Sequence, residues 1–171
     1  LERLKTAGRN LEAIDYVTIS SIIDKCVEKL APVANARQIE LKSSVEDFLA
    51  HGIADQIEIL IENIVSNAIS YSHIGKSVEI SSTVNKSENI ATVSITDHGI
   101  GIEEKDLPNI FNEYFYSPRA VLHNQSSSGI GLSLVKIAAA NNNLQLKITS
   151  EPEVGTTFFI IFIDIQQIEV H

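Results

Sequence analysis

Methionine and tryptophan are absent from the 171-residue sequence, and cysteine occurs once. The lone cysteine, Cys26, cannot form an internal disulfide, which excludes a disulfide-stabilised scaffold. Its place in an apolar helical stripe predicts a core residue. No apolar run reaches the roughly 18 residues of a membrane-spanning helix, and the first residues do not have the pattern of a secretory signal. We therefore expect a cytoplasmic domain, whose full-length parent protein could still be anchored in a membrane by another segment.

Basic residues are also scarce, with 13 Lys and Arg against 22 Asp and Glu and a formal charge of −9. This balance argues against a broad basic surface, and so against nonspecific nucleic-acid binding. A polyanionic ligand would have to be held by local features such as backbone amides. With 44% hydrophobic and 20% charged residues, the composition is that of a folded globular domain.

The length predicts one main hydrophobic core, with room for a short helical appendage. The first residues have the apolar spacing of a helix that ends at Gly8. We therefore interpret residues 1–14 as the end of an upstream dimerisation helix and a linker, and the chain as a piece of a longer protein. Residues 15–166 are assigned to the main domain and 167–171 to a C-terminal tail.

Hydrophobic periodicity predicts alternating helices and strands. The expected helices cover 20–33, 55–72, 103–110 and 129–140, with Ser20 or Ser21 and Asp55 as N-caps, and the expected strands cover 39–45, 51–54, 78–84, 90–96, 144–149 and 156–165. This order predicts an α+β two-layer sandwich, with helices on one face of a mixed, mostly antiparallel sheet. The polar stretch 112–128 is longer than connections in compact domains usually are, which favours a functional loop.

A polar stripe runs along the helix predicted over 55–72. With Asn63 at zero, Asn67, Ser70 and Tyr71 fall at about 40°, 340° and 80° around the helix axis. The apolar residues centre near about 140°, so the stripe flanks the buried face. Asn is a poor residue for a helix interior, and two of them four apart favour a shared ligand. Two solvated amides on a surface helix are the alternative from this segment alone.

A carboxylate and two glycines follow the strand predicted over 90–96. Strand alternation places Asp97 on the face that meets the helices, where a carboxylate needs a hydrogen-bond donor. The exocyclic amine of a purine would suit it. Gly99 and Gly101 allow a sharp turn and a close approach to a flat ligand, although an ordinary turn has the same pattern.

Two glycines, Gly129 and Gly131, lead into the last predicted helix, with Leu132 next. Free amides at a helix N-terminus carry partial positive charge and bind phosphate without a basic side chain. In the final hairpin, Thr157 follows a tight turn and could present a hydroxyl to a base, although an ordinary hairpin turn would look the same.

In order along the chain, these segments resemble the ATP-binding domain of sensor histidine kinases, in the superfamily shared with type II topoisomerase ATPase domains, Hsp90 and MutL. Five boxes carry the resemblance: Glu62-Asn63-Ile-Val-Ser-Asn67-Ala68, Asp97-His-Gly99-Ile-Gly101-Ile102, Ile110-Phe111 with Tyr114 and Phe115, Gly129-Ile-Gly131-Leu132, and Gly155-Thr-Thr157-Phe158. Each box is weak alone, and their order and spacing make the resemblance specific.

The resemblance implies ATP and Mg²⁺ as ligands and assigns roles residue by residue. At the adenine end, Asp97 accepts from the amino group, Thr157 supports that edge and Tyr71 packs nearby, while Gly99, Gly101 and Ile102 form the wall. At the phosphate end, Asn67 holds Mg²⁺, Asn63 lies beside the phosphates, and Gly129, Gly131 and Leu132 supply backbone amides. Residues 112–128 are the expected ATP lid.

None of the five histidines lies in the sequence context that the family uses for a phosphoacceptor. The resemblance therefore implies transfer of the γ-phosphate to a histidine on a dimerisation domain upstream, with a response regulator further downstream. It also implies a homodimer for the full protein and a monomer for this piece. A serine kinase of the anti-sigma factor type and a nucleotide-binding pseudokinase scaffold are the alternatives.

The sequence departs from the family pattern at two positions. Glu113 and Ser70 stand where relatives often carry a basic residue. Arg119 in the lid could compensate, although its position is offset from the usual one. Weaker or more Mg²⁺-dependent nucleotide binding is the expectation. An ATP-hydrolysing relative would need a Glu general base where this chain has Asn63; Glu62 and Glu58 point elsewhere and are expected to form a solvated face.

Overall fold

The computed structural model describes residues 14–112 and 131–169. Its elements, in chain order, are β1 (Asp15–Thr18), α1 (Ile19–Ala36), β2 (Glu40–Val45), β3 (Phe48–Gly52), α2 (Ala54–Tyr71), β4 (Ser77–Asn85), β5 (Ile90–Thr96), a 3-10 turn (Leu107–Asn109), α3 (Gly131–Asn141), β6 (Gln145–Glu151), β7 (Gly155–Phe162) and β8 (Gln166–Gln167). The lid predicted over 112–128 lies outside the described residues except for Asn112. None of the described helices is long and apolar enough to cross a membrane.

The main sheet has five strands in the order β2-β4-β5-β7-β6. β2 pairs with β4 in parallel, and the other pairs are antiparallel. Alternate residues of β4, β5 and β7 are buried, because one face of the sheet packs against the helices and the other faces outward. The predicted α+β sandwich and both predicted hairpins, β4–β5 and β6–β7, are confirmed.

A second sheet of three strands, in the order β1-β3-β8, was not predicted. The expectation of a single sheet was therefore wrong. Its strands are only two to five residues long and come from distant parts of the chain, which leaves little periodic signal. The predicted tail begins inside β8, where the Gln167 side chain donates to the carbonyl of Lys86 and to Asn89 Oδ1.

The first helix is capped by a residue outside it. α1 begins at Ile19, and its N-cap residue Thr18 makes no side-chain capping bond. Instead, Asp47 accepts hydrogen bonds from the Ser20 amide and hydroxyl at 3.0 and 2.6 Å. The predicted serine cap was therefore wrong, because a carboxylate 27 residues away satisfies the free amide.

The predicted cap of α2 was also displaced. The helix begins at Ala54 after Ile53, so Asp55 lies in the first turn and not at the N-cap position. A carboxylate there still complements the helix dipole. At the far end, the Arg37 side chain donates to the carbonyls of Ile69 and Ser72 at 3.1 and 3.3 Å, which supplies a cation to the last turn.

Two ion pairs join α1 to α2. Lys25 Nζ lies 3.1 Å from a Glu58 carboxylate oxygen, and Lys29 Nζ lies 2.9 Å from one of Glu62. The two glutamates are partly buried, so their expected role as a merely solvated face was wrong. Cys26 is buried in the same interface, as predicted, and burial, with Glu62 and Glu58 nearby, raises the pKa of its thiol to about 12.

Two smaller expectations also need correction. The apolar stripe of α1 ends on buried Ala34, four residues after Leu30, and Val33 is exposed, because the i+4 position and not the i+3 position continues the buried face here. The helix predicted over 103–110 reduces to the 3-10 turn, which has proline at its start. Beyond it, Ile110 is buried and Phe111 packs partly against the core.

Candidate nucleotide-binding site

The C-terminal end of α2 is joined by its backbone to the loop that follows β5. The Ile100 amide donates to the Tyr71 carbonyl at 3.2 Å, and Ser72 forms an isolated bridge with Gly99. These contacts bring the predicted polar stripe of α2 beside the predicted Asp-Gly-Gly loop, although the two segments are separate in sequence.

The two loop glycines are required by close backbone packing. A Cβ on Gly99 would lie 1.9 Å from the Tyr71 carbonyl oxygen. Gly101 has a φ of +68°, and a Cβ there would lie 2.1 Å from the carbonyl oxygen of Glu151. Any side chain at either position would force the loop away from α2 or from the β6–β7 turn, so the glycines set the shape of this wall.

Asp97 lies at the base of the loop and is only 8% exposed. Its Oδ1 accepts from the amides of Gly99 at 3.1 Å and Thr156 at 3.2 Å. Burial raises the pKa of the carboxyl from 3.8 to about 6, against the lowering effect of those two bonds. Among the described residues its Oδ2 has no hydrogen-bond partner, so the site holds one carboxylate oxygen ready to accept from a ligand.

Ser150, on β6, holds the loop from behind and was not singled out from the sequence. Its Oγ accepts from the Ile102 amide at 2.8 Å and lies 2.7 Å from Thr156 Oγ1 and 3.1 Å from the Gly155 carbonyl oxygen. Ser150 thus fixes the backbone at Ile102, and the role of Ile102 in a ligand-binding wall stays a prediction. The signal for Ser150 was its position opposite Thr156 across the final hairpin.

Thr157 does not lie on the face predicted from the sequence. It pairs with Thr96 across β5 and β7, and the two hydroxyls are 3.0 Å apart. Directly paired residues share a face, and Thr96 is one residue before Asp97, so Thr157 lies on the opposite face of the sheet from Asp97. The adjacent Thr156 is buried on the inner face and corrects the assignment by one residue.

Asn63 faces the first described residue of α3. Its Nδ2 donates to the Ile59 carbonyl at 2.7 Å, which fixes the carboxamide and leaves Oδ1 turned outward. A Cβ on Gly131 would lie 3.1 Å from that Oδ1. Glycine at 131 therefore lets the start of α3 approach the asparagine stripe. Leu132, the next residue, is partly buried against the core.

Asn67 lies one helical turn beyond Asn63 on the same side of α2 and is partly buried. Its carboxamide makes no hydrogen bond to any described residue, in contrast to that of Asn63. A partly buried, uncommitted amide oxygen is a ligand type that Mg²⁺ accepts, so the position fits the expected metal role. Ser70 is also partly buried, and it adds no charge to this surface.

Some predicted site positions lie outside the described residues. They are Gly129, Tyr114, Phe115, Glu113 and Arg119. The roles assigned to these residues, including those in the lid, therefore stay predictions.

Glu62 is held away from the stripe by its ion pair with Lys29 on α1. Asn63, at the position where hydrolysing relatives were expected to need a glutamate, carries no titratable group. The described part of the site thus contains no carboxylate placed beside Asn67 to activate water.

An open cleft of about 470 Å³ lies beside the loop that contains Asp97. His98 Nε2 is 2.9 Å from Glu79 Oε1, and His73 Nε2 is 3.4 Å from Glu153 Oε2. The cleft is lined by Glu40, Lys42, His73, Gly75, Lys76, Ser77, His98, Glu153 and Val154. It shares none of the predicted nucleotide-site residues, so we treat it as separate from that site.

Comparison with known proteins agrees with the geometry of the site. Residues 52–167 match the family described as histidine kinase-, DNA gyrase B-, and HSP90-like ATPase. The chain belongs to this family. Among its relatives, the sensor-like histidine kinase SenX3 of Mycolicibacterium smegmatis is 34% identical over 159 residues, 92% of this chain and 41% of SenX3. The histidine-protein kinase ArlS of Staphylococcus aureus is 36% identical over 107 residues, 63% of this chain and 23% of ArlS.

Solved structures place the chain in the same histidine kinase-like ATPase fold. The mycobacterial sensor histidine kinase MprB superposes with a TM-score of 0.79 at 22% identity, over 91% of this chain and all of that one. ShkA superposes with a TM-score of 0.79 at 18% identity, over 99% of this chain and 34% of that one. The predicted family is confirmed, and the chain spans less than half the length of the two curated relatives named above.

Proposed function

We propose that this ATPase-family domain binds Mg²⁺-ATP and, within a longer sensor histidine kinase, donates the γ-phosphate to a histidine on a separate dimerisation domain. One observation carries the proposal: a single helix, α2, contacts both halves of a nucleotide site. Its last turn bonds to the loop of Asp97 through the Ile100 amide. Its middle turns carry Asn63, which faces Gly131 at the start of α3, and Asn67, which lies one turn further on the same side of the helix.

At the adenine end, the free Oδ2 of Asp97 would accept from the exocyclic amine. The amides of Gly99 and Thr156 hold Oδ1, and this fixes the direction in which Oδ2 points. Tyr71 lies beside the same loop. Because Asp97 Oδ2, when ionised, can only accept a hydrogen bond, the pocket should select a base with an amino group there. We therefore expect adenine to bind more tightly than a base that has a carbonyl in place of the exocyclic amine.

At the phosphate end, the chain supplies no basic side chain among the described site residues. Asn67 would ligate Mg²⁺, which when bound neutralises phosphate charge. Asn63 would lie beside the phosphates, and amides at the start of α3, from Gly129, Gly131 and Leu132, would bind them. This arrangement reconciles a chain of charge −9 with a polyanionic ligand.

The phosphoacceptor would be supplied from outside this domain. The described histidines make other contacts: the His51 ring lies tilted against that of Tyr16, His73 pairs with Glu153 and His98 pairs with Glu79. His123 and His171 lie outside the described residues and lack the expected acceptor sequence context. We propose a homodimeric parent protein whose dimerisation domain carries the acceptor, and a response regulator as the next phosphate acceptor.

Ser70 and Glu113 lead us to propose that nucleotide affinity depends strongly on Mg²⁺. Both positions lack the positive charge that relatives often carry near the phosphates. Calorimetric titration of this chain with ATP, with and without Mg²⁺, measures the dependence, and tight metal-free binding would contradict it.

The transfer reaction tests the proposal most directly. This domain, labelled ATP and the parent's dimerisation domain should yield acid-labile, base-stable phosphate on the dimerisation domain. Asn67→Asp should abolish transfer because it adds a negative charge beside the triphosphate, whereas Asn35→Asp, an exposed change on α1, should not. Full transfer with Asn67→Asp would overturn the metal assignment, and base-labile, acid-stable phosphate would indicate a serine kinase instead.

A further inference from the structure

Asn142, directly after α3, is a buried side chain with three hydrogen bonds and lies outside the site described above. It is 6% exposed. Its Oδ1 accepts from the Ile53 amide at 2.7 Å. Its Nδ2 donates to Gln56 Oε1 at 3.0 Å and to the Ala138 carbonyl at 2.7 Å.

These bonds join the end of α3 to the start of α2. Ile53 is the N-cap residue of α2, and Gln56 lies in its first turn, while Ala138 is on α3 itself. The two helices meet again at the other end of α3, where Gly131 approaches Asn63. The helices therefore run antiparallel, with a polar clamp at one end and the proposed phosphate site at the other.

The clamp leaves little room for adjustment. A Cβ on Gly52 would lie 2.7 Å from Asn142 Oδ1, so the chain before α2 is packed tightly against the asparagine. Gln56 is 1% exposed, and its Nε2 has no hydrogen-bond partner among the residues that the structure describes. A buried glutamine with an unsatisfied amide hydrogen is unfavourable for stability, which points to a requirement for its Oε1 as the acceptor for Asn142.

We propose that Asn142 is a positioning residue that holds α3 in register along α2, and so sets the distance between the α3 amides and the Asn63–Asn67 stripe. The adenine end depends on a different set of contacts, from Asp97, Ser150 and Thr156, which Asn142 does not touch. Loss of the clamp should therefore weaken binding of the phosphates and leave binding of the adenine and ribose unchanged. This inference rests on the proposed Mg²⁺-ATP site.

The test compares dissociation constants for Mg²⁺-ATP and for adenosine, which lacks the phosphates, by calorimetry or NMR titration of the whole chain. Asn142→Ala should raise the Mg²⁺-ATP constant about tenfold, the scale of a helix N-terminal anion interaction, with the adenosine constant unchanged. Gln56→Met removes one clamp bond and the unsatisfied amide while keeping the buried volume. It should shift the ratio of the two constants in the same direction, about threefold, without lowering thermal stability.

Two control variants separate positioning from general loss of structure. Leu30→Ala destabilises the core of α1 and should leave the ratio at its wild-type value. Ser150→Ala loosens the adenine wall and should weaken both ligands together. If Asn142→Ala and Gln56→Met both keep the wild-type ratio, or if Leu30→Ala shifts it equally, the positioning role is overturned. A wild-type chain that binds neither ligand would instead overturn the proposed function and this inference with it.

Discussion

Asp97→Asn should stabilise the ligand-free domain while abolishing nucleotide binding. The asparagine Oδ1 can still accept from the Gly99 and Thr156 amides, so the loop keeps its bonds. The NH₂ group takes the place of the free Oδ2 and would face the exocyclic amine of adenine donor to donor. A buried charge that lowers stability would be replaced by a neutral group that cannot recognise the ligand.

The magnitude follows from the pKa of the carboxyl, which burial raises from 3.8 to about 6. At about 1.36 kcal/mol per pH unit, the shift corresponds to roughly 3 kcal/mol. At pH values below the ordinary pKa of 3.8, the carboxyl is protonated in both the folded and the unfolded chain, so its shifted pKa does not change the unfolding free energy. Between pH 3.8 and about pH 6, the folded chain holds the proton more tightly than the unfolded chain does, so the stability of the fold decreases as pH rises. The full destabilisation is present above that window.

The assay is urea unfolding of wild type and Asp97→Asn at a series of pH values through that window. The difference in unfolding free energy should be near zero at the acid end and should rise to roughly 3 kcal/mol in favour of the variant at neutral pH. Asp24→Asn, an exposed position on α1, is the matched control and should show no such trend. A variant less stable than wild type at neutral pH, or one that binds ATP normally, would refute the reasoning.

Three further substitutions test other contacts. Gly131→Ala should leave the unfolding free energy equal or higher, because alanine favours helix by up to about 1 kcal/mol. It should lower Mg²⁺-ATP affinity in calorimetry, because the new Cβ lies 3.1 Å from Asn63 Oδ1. Unchanged affinity would contradict this. Asp47→Ala should reduce the unfolding free energy by about 1–2 kcal/mol through loss of the α1 cap, with Asp47→Asn between it and wild type; equal stability in urea would argue against the cap. Thr156→Val should weaken adenosine binding and Thr157→Val should not, and the reverse order would restore the original assignment.

Local periodicity predicted most of the main sheet and the faces on which several candidate site residues lie. Alternation along β5 placed Asp97 on the inner face, and it is buried there. Helical spacing placed Asn63 and Asn67 on one side of α2. Such predictions succeed because a helix or strand fixes side-chain direction from residue to residue, whatever the rest of the chain does.

Boundaries and partners were less accessible from the sequence. An N-cap prediction favours a nearby serine or aspartate, but the cap of α1 is Asp47 in a later connection. Nothing near Glu62 in the sequence indicates that it pairs with Lys29, which lies on a different helix. Thr156 and Thr157 are both hydroxyl residues after the same glycine, and only the pairing of β7 with β5 determines which one faces Asp97.

The sequence by itself determined the family, the order of the boxes and the faces on which Asp97, Asn63 and Asn67 lie, because these depend on residue type and local spacing. The tertiary structure decided what each side chain meets. Asp97 finds two backbone amides, Ser150 closes the wall, and Asn142 joins α3 to the start of α2 across 86 residues to Gln56. Such contacts depend on how the elements pack, and no local pattern in the chain encodes them.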